Sequence, residues 1–328
     1  MTEIFGTLGP ACAEQQVLEK MFEAGLTGMR LNLSHCDLTD SADQITAFQS
    51  AAAAQGVTPQ LVIDTQGPEL RLGDLPAPVQ LDADREVVLG AGGLPVPAEA
   101  LAVMVSGDRV LLDDGKLEVE VLTHSGDSAV ARVVRGGRLT SRKSVKIVDK
   151  SVAMPVVTER DLKNLRQARE YGVTGLLQPF VRSGEDLVEL RHILQENGAE
   201  HLKIFAKIES REGIDRLEDI LPHADVIVIA RGDLGNDMPL WQLPAAQKRI
   251  SAACRAAGKP FVVVTQMLAS MEHAPVPTRA EVSDIFNAVA DGAWGVMLTG
   301  ETAVGQYPAE AIHYLTNTAA EAEGWMRS

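Results

Sequence analysis

Eight short apolar runs, each followed by a stretch of helical periodicity, constrain this chain more than any other feature of its sequence. The runs are Glu3 to Leu8, Met29 to Leu33, Gln60 to Ile63, Gly175 to Gln178, Leu202 to Ala206, Val226 to Ala230, Phe261 to Val264 and Gly295 to Leu298. Each reads as a buried strand. Helical patterns follow at Ala13 to Glu23, Ser41 to Ala54, Glu185 to Gln195, Leu243 to Ala257, Arg279 to Val289 and Ala309 to Ala320. Thr158 reads as the cap of a further helix reaching about Arg169, with Asp161 at its third position. Alternating strand and helix in 328 residues predicts an α/β fold, a closed (β/α)8 TIM barrel. An open doubly wound sheet is the alternative, and no Gly-x-Gly-x-x-Gly follows the first strand to support it.

The repeat is interrupted after the third strand. Residues 72–151 are rich in Val, Gly and Pro, with short alternating stretches at Arg109 to Leu112, Lys116 to Leu122 and Ala129 to Val134. They read as a small all-β domain inserted into a barrel made of residues 1–71 and 152–328. Because it leaves the barrel at a strand's C-terminal end, the insert is expected to act as a lid over that face. Its return limb carries Arg132, Arg135, Arg138, Arg142, Lys143, Lys146 and Lys150 against Asp149, a local basic patch expected to meet phosphate.

Composition narrows the function classes. A net charge of -15 argues against broad nucleic-acid or anionic-membrane binding, and 4% aromatic residues leave little for base stacking. No long apolar stretch or basic-then-apolar leader is present, and three scattered cysteines, Cys12, Cys36 and Cys254, lack metal spacing. A reducing cytoplasm is the expected location.

Active sites of such barrels lie at the C-terminal ends of the strands. What emerges there is a lysine with two carboxylates: Lys207 and Glu209 after the fifth run, Arg231 and Asp233 after the sixth. Carboxylates at adjacent strand ends suit Mg²⁺, which keeps waters and is completed by substrate phosphates. An ammonium beside that metal suits phosphoryl transfer, whose transition state spreads negative charge over the equatorial oxygens. Asn32, Ser34, Asp64 and Thr65 form a cluster of mostly neutral oxygens, which suits a monovalent cation; helix and loop caps would use the same residues. His35 has no evident serine or cysteine partner for a nucleophilic triad.

The chain resembles the pyruvate kinase family over nearly its whole length. The motifs that carry the resemblance are Thr7-Leu-Gly-Pro-Ala11, Arg30-Leu-Asn-Leu-Ser-His35, Asp64-Thr-Gln-Gly-Pro-Glu-Leu-Arg71 and Asp113-Asp-Gly115. Further on stand Lys207-Ile-Glu209, Ala230-Arg-Gly-Asp-Leu-Gly235, Thr265-Gln-Met-Leu268, Pro277-Thr-Arg-Ala-Glu281 and Gly300-Glu-Thr302. The resemblance implies transfer of phosphate from phosphoenolpyruvate to ADP, with Mg²⁺ (or Mn²⁺) and K⁺ as cofactors. It implies Glu209 and Asp233 as ligands of the divalent metal. Asn32, Ser34, Asp64 and Thr65 would hold K⁺. Lys207 and Arg30 would stabilise the phosphoryl group, with Gly232 also lining the substrate site and Thr265 assisting protonation of the enol carbon. Asn32, His35, Arg71 and Lys143 would meet the nucleotide. Glu69 matches the residue type associated with K⁺ dependence, Asp114 or Asp113 would sit on the lid's closing edge, and Arg231, Thr299 and Glu301 would support the site.

Departures from the family pattern are also legible. The chain stops at Ser328, where the family continues into a C-terminal regulatory domain, so no response to sugar-phosphate effectors is expected. The lid looks shorter than usual. Gln66 replaces a lysine, Pro179 a small hydroxyl residue and Val282 a glycine. A homodimer through the last barrel helices is expected. The competing reading is a metal-dependent pyruvate-enolate enzyme, a 2-oxo acid decarboxylase or aldolase, which needs Glu209 and Asp233 but no nucleotide lid. A phosphoenolpyruvate-binding module without catalysis is a third, which the presence of Lys207 disfavours.

Overall fold

The computed structural model describes residues 1–328 apart from His35, Pro68, Glu69, Asp114, Asp149, Ser151 and Ala153. Eight parallel strands close into a barrel: β1 (Glu3–Thr7), β2 (Gly28–Asn32), β3 (Gln60–Asp64), β4 (Gly175–Gln178), β5 (Lys203–Ile208), β6 (Val226–Ala230), β7 (Phe261–Val264) and β8 (Gly295–Met297). β1 pairs with β8 on one side and β2 on the other, so the sheet has no free edge. The principal outer helices are α1 (Gln15–Glu23), α2 (Ala42–Ala54), α3 (Glu159–Gln167), α4 (Gly184–Glu196), α5 (Leu243–Ala256), α6 (Arg279–Ala290) and α7 (Pro308–Arg327). Two short helical segments, Arg211–Asp215 and Leu217–Ile220, make the crossover from β5 to β6. The fold is the (β/α)8 barrel that the alternating pattern predicts.

Strand alternation sorts the side chains into two cores. One set points outward beneath the helices and includes Ile4, Met29, Leu61, Ile63, Ile204, Ile227, Ile229 and Val263. The other fills the barrel axis with Phe5, Val62, Leu177, Phe205, Val226, Val228, Val262, Val264 and Met297. Phe5 and Phe205 meet edge to face at 6.4 Å and both lie against Trp294. Glycines admit these rings: a Cβ at Gly28 would stand 2.6 Å from Phe5, and one at Gly175 2.7 Å from Phe205. This plug has a consequence for the site. Phe205 faces the axis, so by period two Lys207 and Glu209 rise on the same face, directly above a dry floor.

One boundary differs from the sequence expectation. β5 runs to Ile208 rather than stopping at Ala206, so Lys207 lies in the strand instead of beyond it. Its backbone is paired in the ladder, with Lys207 opposite Val228. The lysine is thereby anchored on a rigid element.

The chain divides into two units, Met1–Gly67 with Val156–Ser328, and Pro68–Pro155. The second has its own core, including Leu81, Leu89, Leu101, Val110, Leu117, Val119, Ala131 and Val133. It is all-β apart from a short helix, Ala98–Val103. Five antiparallel strands run in the order Val145–Ile147, Arg109–Leu112, Leu117–Ser125, Ser128–Arg135, Glu86–Gly90. A two-stranded ribbon pairs Val79–Leu81 with Gly137–Leu139. Among the described residues no helix is long and apolar enough to cross a membrane.

Candidate active site

The C-terminal ends of β2, β3 and β5 bring Arg30, Asp64 and Lys207 together. Arg30 approaches Asp64 Oδ2 at 2.7 Å through both Nε and a terminal nitrogen, and also reaches Thr7 Oγ1 at 3.4 Å. Lys207 Nζ stands 3.2 Å from Asp64 Oδ1 and 2.8 Å from Glu209 Oε1. Asp64 is thus a buried carboxylate between two cations. Burial raises its pKa, but Lys207 and Arg30 outweigh burial and hold it below the ordinary value. Burial likewise works against the charge on Lys207, yet Asp64, Glu209 and Asp233 together hold its pKa above the ordinary value. The ammonium is favoured by its carboxylate neighbours and is fixed at the axis.

Glu209 stands in the opposite condition. It is buried, and desolvation pushes its carboxyl up to about 7 despite Lys207, with Asp233 adding to the rise. Oε2 accepts the backbone N–H of Phe180 at 2.9 Å. Among the described residues Oε1 meets only the Lys207 ammonium, at 2.8 Å. A buried carboxylate oxygen short of partners, with the exposed Asp233 one strand away, fits a divalent cation. Among the described residues no group of three or more His, Cys, Asp or Glu side chains could hold a metal. Two carboxylates with positions left for water or substrate oxygen are the arrangement Mg²⁺ uses.

The residues expected to hold a monovalent cation lie at the ends of β2 and β3. Asn32 and Asp64 are register partners on β2 and β3, and Leu33 N–H donates to the Asp64 carbonyl at 2.9 Å. Asn32 Oδ1 accepts Ser34 N–H at 3.1 Å, which folds Ser34 back over the strand end. Thr65 Oγ1 donates to Leu177 O at 3.4 Å. Amide, hydroxyl and carbonyl oxygens with a single carboxylate already shared by two cations carry little net charge, which fits K⁺ better than a divalent ion.

Thr265 is held in a strained conformation. Its φ is +76°, a region that β-branched residues rarely enter, and Gln266 follows at +54°. Three contacts maintain it. Gly232 N–H donates to Thr265 Oγ1 at 2.8 Å, and Arg231 donates to the Thr265 carbonyl from Nη2 at 2.6 Å and Nε at 3.2 Å. Arg231 is itself clamped by Asp284 of α6 at 2.6 Å. Gly232 and Asp233 open a short helix, Arg231–Asp237, directly after β6. Glu301, fully buried, accepts Leu268 N–H at 3.0 Å and Thr299 N–H at 2.7 Å, tying the loops after β7 and β8 together.

The remaining expected site residues fall elsewhere. Arg71 and Lys143 are in the second unit, where Arg71 Nη1 donates to the Arg142 carbonyl at 2.9 Å and Lys143 pairs with Asp113 at 2.8 Å. His35, Glu69 and Asp114 lie outside the described residues. The basic limb is not an unmatched patch: Arg132 pairs with Glu120, Arg135 with Glu118, Arg142 with Asp74 and Lys150 with Asp108. The carboxylates come from other strands and loops, and so do not show in the linear run of charge. The Thr278–Glu281 motif also has a structural task. Glu281 closes a capping box on α6 and accepts Ser270 N–H and Oγ–H.

Comparison with known proteins agrees with this geometry. Residues 1–312 match the family model described as pyruvate kinase, barrel domain. Curated pyruvate kinases from Bacillus licheniformis, Geobacillus stearothermophilus and Clostridium acetobutylicum are 38%, 36% and 34% identical over 98% of this chain. The chain spans 57% of the length of the first two and 70% of the third. A barrel whose strand ends carry this cluster, matched over nearly its full length, belongs to the pyruvate kinase family.

Proposed function

We propose that this chain moves the phosphoryl group of phosphoenolpyruvate to ADP, giving pyruvate and ATP, with Mg²⁺ or Mn²⁺ and K⁺ as cofactors. The observation that carries this reading is Lys207, kept charged by Asp64 and Glu209 at the axis and beside Asp233. When bound, the divalent cation supplies Lewis-acid charge to the phosphoryl oxygens, and K⁺ adds fixed positive charge. Glu209 and Asp233 would hold the first; Asn32, Ser34, Asp64 and Thr65 would hold the second.

In the transfer, an oxygen of the ADP β-phosphate forms a bond to phosphorus as the bond to the enol oxygen breaks. Lys207 and Arg30 flank the migrating group, and their charge offsets what develops on its equatorial oxygens. The enolate left behind takes a proton at carbon, and the Thr265 hydroxyl is the group assigned to assist. Gly232, whose N–H orients that hydroxyl, lines the same pocket. Arg231, Thr299 and Glu301 support the loops. Asn32, His35, Arg71 and Lys143 are assigned to the nucleotide, with Glu69 and Asp114 supporting. The reading places the chain in the cytoplasm, where thiols stay reduced, and includes a homodimer through the last barrel helices. Trp325, exposed on α7 and packed on Phe286 of α6, supports that surface. Sedimentation showing monomer alone would reject it.

The test is a lactate-dehydrogenase-coupled assay with phosphoenolpyruvate, ADP, Mg²⁺ and K⁺. Pyruvate formation that requires ADP and is lost in Lys207→Met supports the reading. A signal no greater than that of Lys207→Met rejects it.

A further inference from the structure

The first turn of α3 contains a carboxylate whose two oxygens act on different segments. Asp161 Oδ2 accepts Thr158 N–H at 2.9 Å and Thr158 Oγ–H at 2.7 Å, completing the capping box of α3. Asp161 Oδ1 accepts Gln66 N–H at 3.1 Å, across 95 residues of sequence. The side chain is 1% exposed, so both bonds are made out of water. The first function is the ordinary one for the third residue of a helix. The second is not needed by the helix at all.

Gln66 N–H belongs to the peptide unit whose other end is the Thr65 carbonyl. A trans peptide is planar, and its N–H and C=O point in opposite directions. Fixing the N–H on Asp161 therefore fixes the direction of the Thr65 carbonyl, aiming it away from α3. Hydrogen bonding to an anion also polarises the peptide, so its oxygen becomes a better cation ligand. Among the described residues no backbone N–H donates to that oxygen. The neighbouring loop is braced by the same helix: Asn164 Oδ1 accepts Leu38 N–H at 2.8 Å, while Arg160 and Lys163 pair with Asp37 at 2.7 and 2.9 Å. Both loops that carry the expected K⁺ ligands are thus tied to α3.

We infer that Asp161 is a positioning residue for the monovalent-cation site, acting through the Thr65–Gln66 peptide. The inference rests on the K⁺ assignment to Asn32, Ser34, Asp64 and Thr65. It adds that the affinity of that site depends on a carboxylate that touches neither cation nor substrate.

The experiment compares wild type, Asp161→Asn, Asp161→Glu and Thr158→Ala by Tl⁺ titration followed by thallium NMR, with K⁺ competition. Glutamate at this position keeps the helix cap, because it is a usual third residue of a capping box. Its extra methylene moves the second oxygen off the Gln66 N–H. Thr158→Ala weakens the cap and leaves the Gln66 bond in place. The expected result is a fivefold or larger rise in the Tl⁺ midpoint for Asp161→Asn and Asp161→Glu. Thr158→Ala should lower the melting temperature with a Tl⁺ midpoint within twofold of wild type. Midpoints in both Asp161 variants equal to wild type overturn the inference, as does an equal rise in Thr158→Ala. No Tl⁺ binding by wild type would instead overturn the K⁺ assignment on which it stands. If Asp161→Asn does not fold, Asp161→Glu decides.

Discussion

Lys207 and Glu209 lie two residues apart at the end of β5, and the ammonium of one stands 2.8 Å from a carboxylate oxygen of the other. The pairing keeps a cation charged in a buried position and leaves Glu209 Oε1 with no other partner among the described residues. Replacing Lys207 with Met is expected to lower turnover by on the order of 10³, the scale of losing a phosphoryl-stabilising cation. It should also destabilise the apo protein by on the order of 3 kcal/mol, because Asp64 and Glu209 lose a buried partner. Steady-state kinetics and thermal melting read the two effects separately.

Thr265 holds a left-handed backbone that its β-branch disfavours. Thr265→Ser should keep most activity, since the hydroxyl remains. Thr265→Ala should lose about 10² in turnover if the hydroxyl serves in proton transfer. Its melting temperature should change little, because relief of crowding offsets the lost bond from Gly232. Full activity in Thr265→Ala would remove that role.

Glu301 binds two backbone N–H groups on adjacent loops. Glu301→Ala should cost about 2–5 kcal/mol by leaving both buried donors unpaired. Chemical denaturation measures it, and a loss under 1 kcal/mol would mean water replaces the carboxylate.

Asp37 carries the clearest linkage of stability to pH outside the central cluster. Hydrogen bonds from Lys163 and Arg160 lower its pKa from 3.8 to about 2. A depressed acid contributes stability that is fully present above its unfolded value. That contribution is lost as pH falls from about 4 through about 2. Both cations are partly exposed, so about 1 kcal/mol is involved. In Asp37→Asn the melting temperature should be lower at pH 6, and the gap to wild type should narrow as pH falls from about 4 through about 2. A constant gap across that range would show the ion pairs to be irrelevant.

Burial pushes the Cys12 thiol up to about 11 and the Cys254 thiol up to about 12. Cys36 is only half-buried. A maleimide at pH 7.5 should therefore label Cys36 in the native protein and reach the other two only on unfolding. Mass spectrometry of labelled peptides decides this.

The barrel was legible because buried parallel strands leave continuous apolar runs, and Val226 to Ala230 and Phe261 to Val264 are copied almost residue for residue into β6 and β7. The fifth strand was read two residues short because Lys207, a charged residue, stands inside a ladder, where three carboxylates offset the cost of burying it. The ion pairs of the basic limb were not legible because their partners, Glu118, Glu120, Asp74 and Asp108, are not marked by any spacing in the sequence. Asp284 was missed for the same reason, since nothing in a helix sequence marks a residue that clamps an arginine from another loop. The strain at Thr265 has no sequence signal at all. Asp161 was half legible: its place three residues after Thr158 gives the cap, but not the bond to Gln66.

The central claim is direct transfer of phosphate between phosphoenolpyruvate and ADP. Phosphorus NMR of a mixture with Mg²⁺ and K⁺ follows both ends of the reaction at once. The expected result is a phosphoenolpyruvate signal replaced one for one by the γ-phosphate of ATP, quickly with wild type and not detectably with Lys207→Met. Phosphoenolpyruvate left intact, or converted to orthophosphate without ATP, would contradict it.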